Sequence, residues 1–237
     1  MSSKRISAAK SHAHFGSLRS APAAVVFSGY FFRKRLARIS AFLVVMSVLG
    51  YFVATRCNIN PAHSLGEKLD EFNGVVVYYN GAINSTSGRR TTSDGYNLGL
   101  QFQCVEFVKR YYYERFGHKM PNSMGHAREF FSATVGDGEL NRDRMLIQYQ
   151  NGAGARPAVE DLIVFAPWAL NRFGHVAIVS KVGPDFIEVV QQNAGPFGAT
   201  RERFPLEQRE GRLHVGNDRV LGWLRRDQQV RPYKPDI

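Results

Sequence analysis

Cys104 stands in the run Gln103-Cys104-Val105-Glu106-Phe107-Val108-Lys109-Arg110, where a polar stretch gives way to apolar residues at helical spacing. A thiol in the first turn of a helix faces the unpaired amide groups of the helix start. Those groups favour the thiolate, which is the nucleophilic form. The chain holds one other cysteine, Cys57. Two cysteines make no disulfide framework, and a bridge between them would consume the nucleophile. A thiol nucleophile needs a base, and there are seven histidines. His12 and His14 lie in the N-terminal tail; His63, His118, His126 and His214 fall in loops, helices or a weak strand. His175 opens the apolar run Gly174-His175-Val176-Ala177-Ile178-Val179, which sets an imidazole at a sheet rim next to a residue without a side chain.

Gly183-Pro184-Asp185 is a tight turn, and it predicts a hairpin of His175–Val182 with the strand beginning at Phe186. The outer ends of that hairpin would bring Gln191 or Asn193 beside His175. A thiol on a helix start, an imidazole on a strand and a neighbouring amide that orients the ring make the constellation of a thiol hydrolase. Gln103, with the backbone N–H of Cys104, is a candidate oxyanion donor. The competing reading is plain: a free Cys is most often a small buried hydrophobe, and a lone His most often a structural hydrogen-bonder. No two histidines have a helical pair spacing with an acid nearby, so neither a metal site nor any other cofactor is expected.

The elements that must position these residues read as an α+β layout of helices followed by an antiparallel meander. Helices are predicted at Ser64–Phe72, where Ser64 and Glu67 have capping-box spacing, at Cys104–Phe116 and at Met124–Thr134. Strands are predicted at Val75–Tyr79, Asp161–Phe165, His175–Val182 and Phe186–Gln192, with two more near Arg212–Val215 and Val220–Leu224. Residues 82–103 and 137–151 read as loops. Tyr78, Tyr79, Tyr96, Phe102 and Trp168 are core aromatics in the main, a few of them able to line a cleft.

The N-terminal third is different. Residues 1–55 carry eight basic side chains and no acid, out of a net +11 for the chain, leaving +3 for the remainder. The basicity therefore belongs to the tail, and a nucleic-acid partner is not implied. Ile39–Thr55 holds no charge and stands just after Arg33-Lys34-Arg35 and Arg38. The stretch is near the lower limit for spanning a bilayer, and the positive-inside rule then places 1–38 in the cytoplasm. Ala23–Phe32 is too short to span alone. An uncleaved anchor is favoured over a cleaved signal peptide, since Val53-Ala54-Thr55-Arg56 is a poor cleavage site. The resulting division is a basic disordered tail (1–38), a membrane anchor (39–55), a connector (56–73), a catalytic domain (74–226) and a solvated C-terminal tail (227–237).

Taken together, Gly95-Tyr96-Asn97-Leu98-Gly99-Leu100-Gln101-Phe102-Gln103-Cys104-Val105-Glu106-Phe107-Val108, Asp161-Leu162-Ile163-Val164-Phe165, Gly174-His175-Val176-Ala177-Ile178-Val179, Gln192-Asn193 and Gly222-Trp223 resemble a CHAP domain. This is a cysteine- and histidine-dependent amidohydrolase/peptidase of the papain-like NlpC/P60 superfamily. The likeness extends over about residues 74–226 and takes in peptidoglycan hydrolases and the amidase half of glutathionylspermidine synthetase/amidase. It implies a papain-like α+β fold, with Cys104 as nucleophile, His175 as general base and Asn193 as the family Asn. The family often carries Glu two residues before that Asn, where this chain has Gln191. A neutral amide orients the ring without adding charge, and Glu188 is the fallback carboxylate, placed by alternation on the other face.

The expected activity is a membrane-anchored cysteine amidase or endopeptidase that acts on peptidoglycan from the outer side of a bacterial inner membrane. The alternatives are a glutathionylspermidine-type amidase and a weakened cell-wall-binding domain.

Overall fold

The computed structural model describes residues 23–227. The expectations for the extreme N-terminal residues and for most of the C-terminal tail lie outside the described residues. Two compact units are present, one ending at Val48 and the other starting at Leu49. The first consists of the greater part of a single helix, α1 (Ala23–Arg56), which takes in both apolar runs and the basic cluster between them. Its segment Tyr30–Arg56 is long and apolar enough to cross a membrane. Apolar side chains such as Phe32, Phe42, Val45 and Phe52 are exposed all round it.

The second unit is mixed α+β. An eight-stranded antiparallel sheet runs in the order β11-β10-β9-β8-β7-β12-β6-β5. Its strands are β5 (Glu139–Asn141), β6 (Leu146–Gln150), β7 (Leu162–Phe165), β8 (His175–Val182), β9 (Phe186–Val190), β10 (Arg201–Arg209), β11 (Arg212–Val215) and β12 (Val220–Arg225). Two small hairpins precede it: β1 (Lys68–Phe72) with β2 (Val75–Tyr78), and β3 (Arg89–Thr91) with β4 (Asn97–Leu100). Helix α2 (Cys104–Phe116) lies against one face of the sheet, and a 3₁₀ turn (Ala127–Phe130) follows.

Alternation along the central strands splits the core in two, as the period-2 pleat requires. Leu162, Val164, Val176, Ile178 and Val190 face α2 and pack with Phe107, Val108, Tyr111 and Tyr112. Ile163, Phe165, Ala177, Val179 and Val189 face the other way and pack with Phe204, Val215 and Trp223. Trp223, part of the resemblance motif, is thus a core residue. Burial on both faces explains why β7 and β8 read as nearly unbroken apolar runs.

Four element expectations need correction. Ser64–Phe72 is a turn and then a strand. The Ser64–Glu67 bonds form (Ser64 N to Glu67 Oε2, 2.9 Å), but they close a single turn, and Lys68–Phe72 pairs with β2 around Asn73-Gly74. Met124–Thr134 contains only the 3₁₀ turn. The loop 82–103 holds the β3–β4 hairpin, and 137–151 holds β5 and β6, the latter with Leu146 and Gln148 buried. Strand β10 was not anticipated. Its sequence, Arg-Glu-Arg-Phe-Pro-Leu-Glu-Gln-Arg, is charged and contains a proline, yet it pairs with β9 from Arg201–Val190 to Pro205–Phe186.

Candidate active site

Helix α2 begins at Cys104 and ends at Phe116, with Gly117 in the left-handed conformation closing it. No side chain caps its first turn. Phe102, just upstream, has φ of 65°, which is unusual for a residue with a bulky side chain and turns the chain sharply into the helix. Cys104 is 7 % exposed. Burial pushes its thiol up to about 11, against the backbone N–H groups of Val176, Val105 and Cys104 itself, which face the sulfur and pull the other way. The sulfur therefore lies against the amide of the residue that follows His175.

His175 opens β8, paired with Phe165 of β7. Gly174 before it has φ of 76°, and a side chain there would sit 2.7 Å from the Phe165 carbonyl and 3.1 Å from the Arg128 backbone. The close approach is thus to β7 and the 3₁₀ turn, and it fixes where the histidine emerges. His175 Nε2 is 2.9 Å from Gln191 Oε1. A carbonyl oxygen only accepts, so Nε2 carries the proton and Nδ1 keeps its lone pair. Burial lowers the imidazole to about 4, the Gln191 bond opposes this, and Arg219 adds to it. Burial thus favours the neutral form of both the thiol and the imidazole.

Gln191 reaches the ring because of register. Ile178 pairs with Val190, so one step further Gln191 falls beside Ala177, diagonal to His175. Its Nε2 donates to Ala199 O (3.2 Å) and Glu202 Oε2 (3.1 Å). Asn193 does not reach the imidazole. The chain turns there with φ of 61°, and the Asn193 amide donates to Gln103 Oε1 (2.8 Å) and Ile83 O (2.9 Å). The Gln103 amide donates in turn to Ser85 O (2.5 Å) and Ile83 O (3.3 Å). Its donors are committed to the 82–87 loop, so the N–H groups left facing the sulfur are those of the backbone. Glu188 is bound by Arg203 and Ser180 (2.9 and 3.2 Å), away from the histidine.

An open cavity of about 400 Å³ lies over the start of α2. Cys104, Gln103, Asn193, Gly174 and Phe173 line it together with Arg56 and Arg89, and among the described residues no Asp or Glu does so. None of the five aromatics singled out in the sequence is in this wall.

Residues 92–193 match the family model described as CHAP domain. The chain carries a CHAP domain. Two curated relatives from Crithidia fasciculata are similar to it. Trypanothione synthetase is 30% identical over 119 residues, covering 50% of this chain and 18% of that protein. Glutathionylspermidine synthase is 33% identical over 141 residues, covering 54% of this chain and 19% of that protein. The chain thus spans about a fifth of the length of these relatives. The CHAP match and these relatives support a hydrolase that acts on amide bonds.

Three residues around the candidate site were not singled out from sequence. Glu106, fully buried, accepts from Arg110 Nε (2.6 Å), Arg90 Nη1 (2.9 Å) and Gln192 Nε2 (2.8 Å). Gln192 also donates to Gln103 O (3.0 Å) and accepts from Tyr78 N (2.8 Å). This network ties the first turn of α2 to β2, β3 and the end of β9. Glu202 is the third. A signal for Glu106 was present in its position two residues after the cysteine, on the helix face opposite the solvent; for Glu202 there was none.

Proposed function

We propose that this protein is a membrane-anchored cysteine amidase that cleaves peptide amide bonds of peptidoglycan. The observation that carries the chemistry is the His175–Gln191 bond, because it leaves Nδ1 free to take a proton. In the reaction the Cys104 S–H proton passes to His175 Nδ1 as sulfur attacks the amide carbonyl carbon. The backbone N–H of Cys104 at the helix start faces the oxygen that gains charge. The imidazolium returns its proton to the departing amine nitrogen, and an acyl-thioester remains. Water, deprotonated by the same imidazole, releases the acid and regenerates the thiol. Burial favours the neutral thiol and imidazole, so in this reading proton transfer accompanies attack and no standing ion pair is required.

The substrate reading rests on α1 and the cavity. A helix exposing apolar side chains all round is covered by a bilayer, and basic residues on its N-terminal side favour an outward catalytic domain. The arginines at the cavity suit a substrate bearing carboxylates, as peptidoglycan stem peptides do. The relatives favour a second reading, since one is named as a trypanothione synthetase and the other as a glutathionylspermidine synthase; in it this domain would hydrolyse a conjugate such as glutathionylspermidine.

One assay separates the two. Purified full-length protein in detergent is incubated with cell-wall sacculi and, in parallel, with glutathionylspermidine, and the products are identified by mass spectrometry. Release of stem-peptide fragments by wild type, reduced at least roughly a thousandfold in Cys104→Ala, is the expected result. Release of spermidine with intact sacculi would move the assignment to the conjugate. Equal release by Cys104→Ala would remove the cysteine mechanism.

A further inference from the structure

Gln191 is a neutral amide where a charged orienting group would be more effective, and an amide can turn over. Turned over, its NH₂ would face His175 Nε2, and that nitrogen could then only accept. The ring proton would move to Nδ1, and the base would be unable to receive a proton from a thiol. What holds the amide is therefore a functional question. Its Nε2 has two acceptors, Ala199 O at 3.2 Å and Glu202 Oε2 at 3.1 Å. A backbone carbonyl and a carboxylate oxygen can only accept, so both oppose the turned-over amide, the charged carboxylate more strongly than the carbonyl.

The sheet explains why Glu202 is the side chain that arrives there. In β10, Glu202 pairs with Val189, and Gln191 is the diagonal neighbour two residues on. Arg201 and Arg203 point to the other face, where they bind Asp70 (2.8 Å) and Glu188 (2.9 Å). Glu202 shares the face of the buried Phe204. A row thus runs across three strands from the Glu202 carboxylate through the Gln191 amide to the His175 ring.

We infer that Glu202 is a positioning residue, which holds the Gln191 amide so that its oxygen faces His175 and the ring proton stays on Nε2. The inference rests on the proposed role of His175 as base. A carboxylate two groups removed from the imidazole thereby does part of what a directly bonded one would do, since a charged acceptor also polarises the amide it binds.

The test uses full-length protein in detergent with two readouts that need no substrate. Histidine-selective ¹⁵N NMR reports which ring nitrogen of His175 carries the proton. Iodoacetamide alkylation at pH 7, followed by mass spectrometry of the separate Cys104 and Cys57 peptides, reports thiol reactivity, with exposed Cys57 as internal reference. In Glu202→Ala the Nε2-protonated form is expected to lose its exclusive population, and the Cys104 rate to fall about fivefold. Glu202→Gln, which keeps an acceptor oxygen in reach, should stay within about twofold of wild type. Gln191→Glu alone sets two carboxylates against each other and should react more slowly than Gln191→Glu combined with Glu202→Gln. An unchanged tautomer and rate in Glu202→Ala would overturn the inference, as would equal rates for Gln191→Glu with and without Glu202→Gln. If the hydrolase reading itself fails, the sacculus assay shows it while the tautomer readout still reports on Glu202.

Discussion

The side chains at the centre of the site owe their properties to burial before any partner acts. Cys104 is raised and His175 lowered because each loses water, and only then do the backbone amides of Val176 and the helix start, and Gln191, pull them back. For His175 this has a measurable sign. Above its ordinary value of 6.5 the ring is neutral in both folded and unfolded chains, and its contribution to stability is fully present. As pH falls below that, the unfolded chain takes up the proton first, so stability drops until the folded ring titrates near 4. The slope is at most about 1.4 kcal/mol per pH unit in that window. Chemical denaturation at a series of pH values should therefore give a shallower acid loss for His175→Phe than for wild type. Parallel curves would show that His175 is not held neutral. The residue types and their order were legible from sequence. Which of Gln191 and Asn193 faces the ring was not, because it depends on the φ of 61° at Asn193, which turns that amide toward Gln103.

Elements place these residues through a few buried polar clamps. Glu106 joins α2 to two hairpins and to the end of β9 through three charged or amide donors. Asp161, in the second resemblance motif, is a clamp as well: it takes two bonds from Arg225 (2.9 and 2.8 Å) and locks β7 to β12. Removing one member of a buried ionic network leaves the others desolvated and unpaired. Glu106→Ala should cost about 3–5 kcal/mol in denaturant unfolding, whereas Glu114→Ala on the exposed side of the same helix should cost less than about 0.5 kcal/mol. Similar losses for both would mean that the network does not hold α2 in place. Helix α2 was legible residue for residue because its apolar spacing and terminal glycine agree. Strands β5, β6 and β10 were not, since their polar side chains are satisfied by neighbouring strands and loops that only the fold supplies. Gln148, for example, is buried and bonded to Ser132, Val135 and Asn141.

At the scale of the whole molecule, an apolar helix and a CHAP domain are joined within one chain. The proposed topology puts residues 57–237 on the outer face of the membrane. Protease added to intact spheroplasts expressing the full chain should digest the CHAP domain and spare a fragment containing α1; protection of the domain until lysis would place it in the cytoplasm and favour the conjugate reading. The sequence by itself determined the helix that can span a bilayer, the α+β class, the cysteine at a helix start and the histidine at a strand start. These follow from local periodicity and composition, which need no knowledge of partners. Only the tertiary structure decided that the ring bonds Gln191 rather than Asn193, that the Gln103 amide is spent on a loop, and that Glu202 stands behind Gln191. Those contacts join residues far apart in the chain, and their geometry is set by strand register and one left-handed turn.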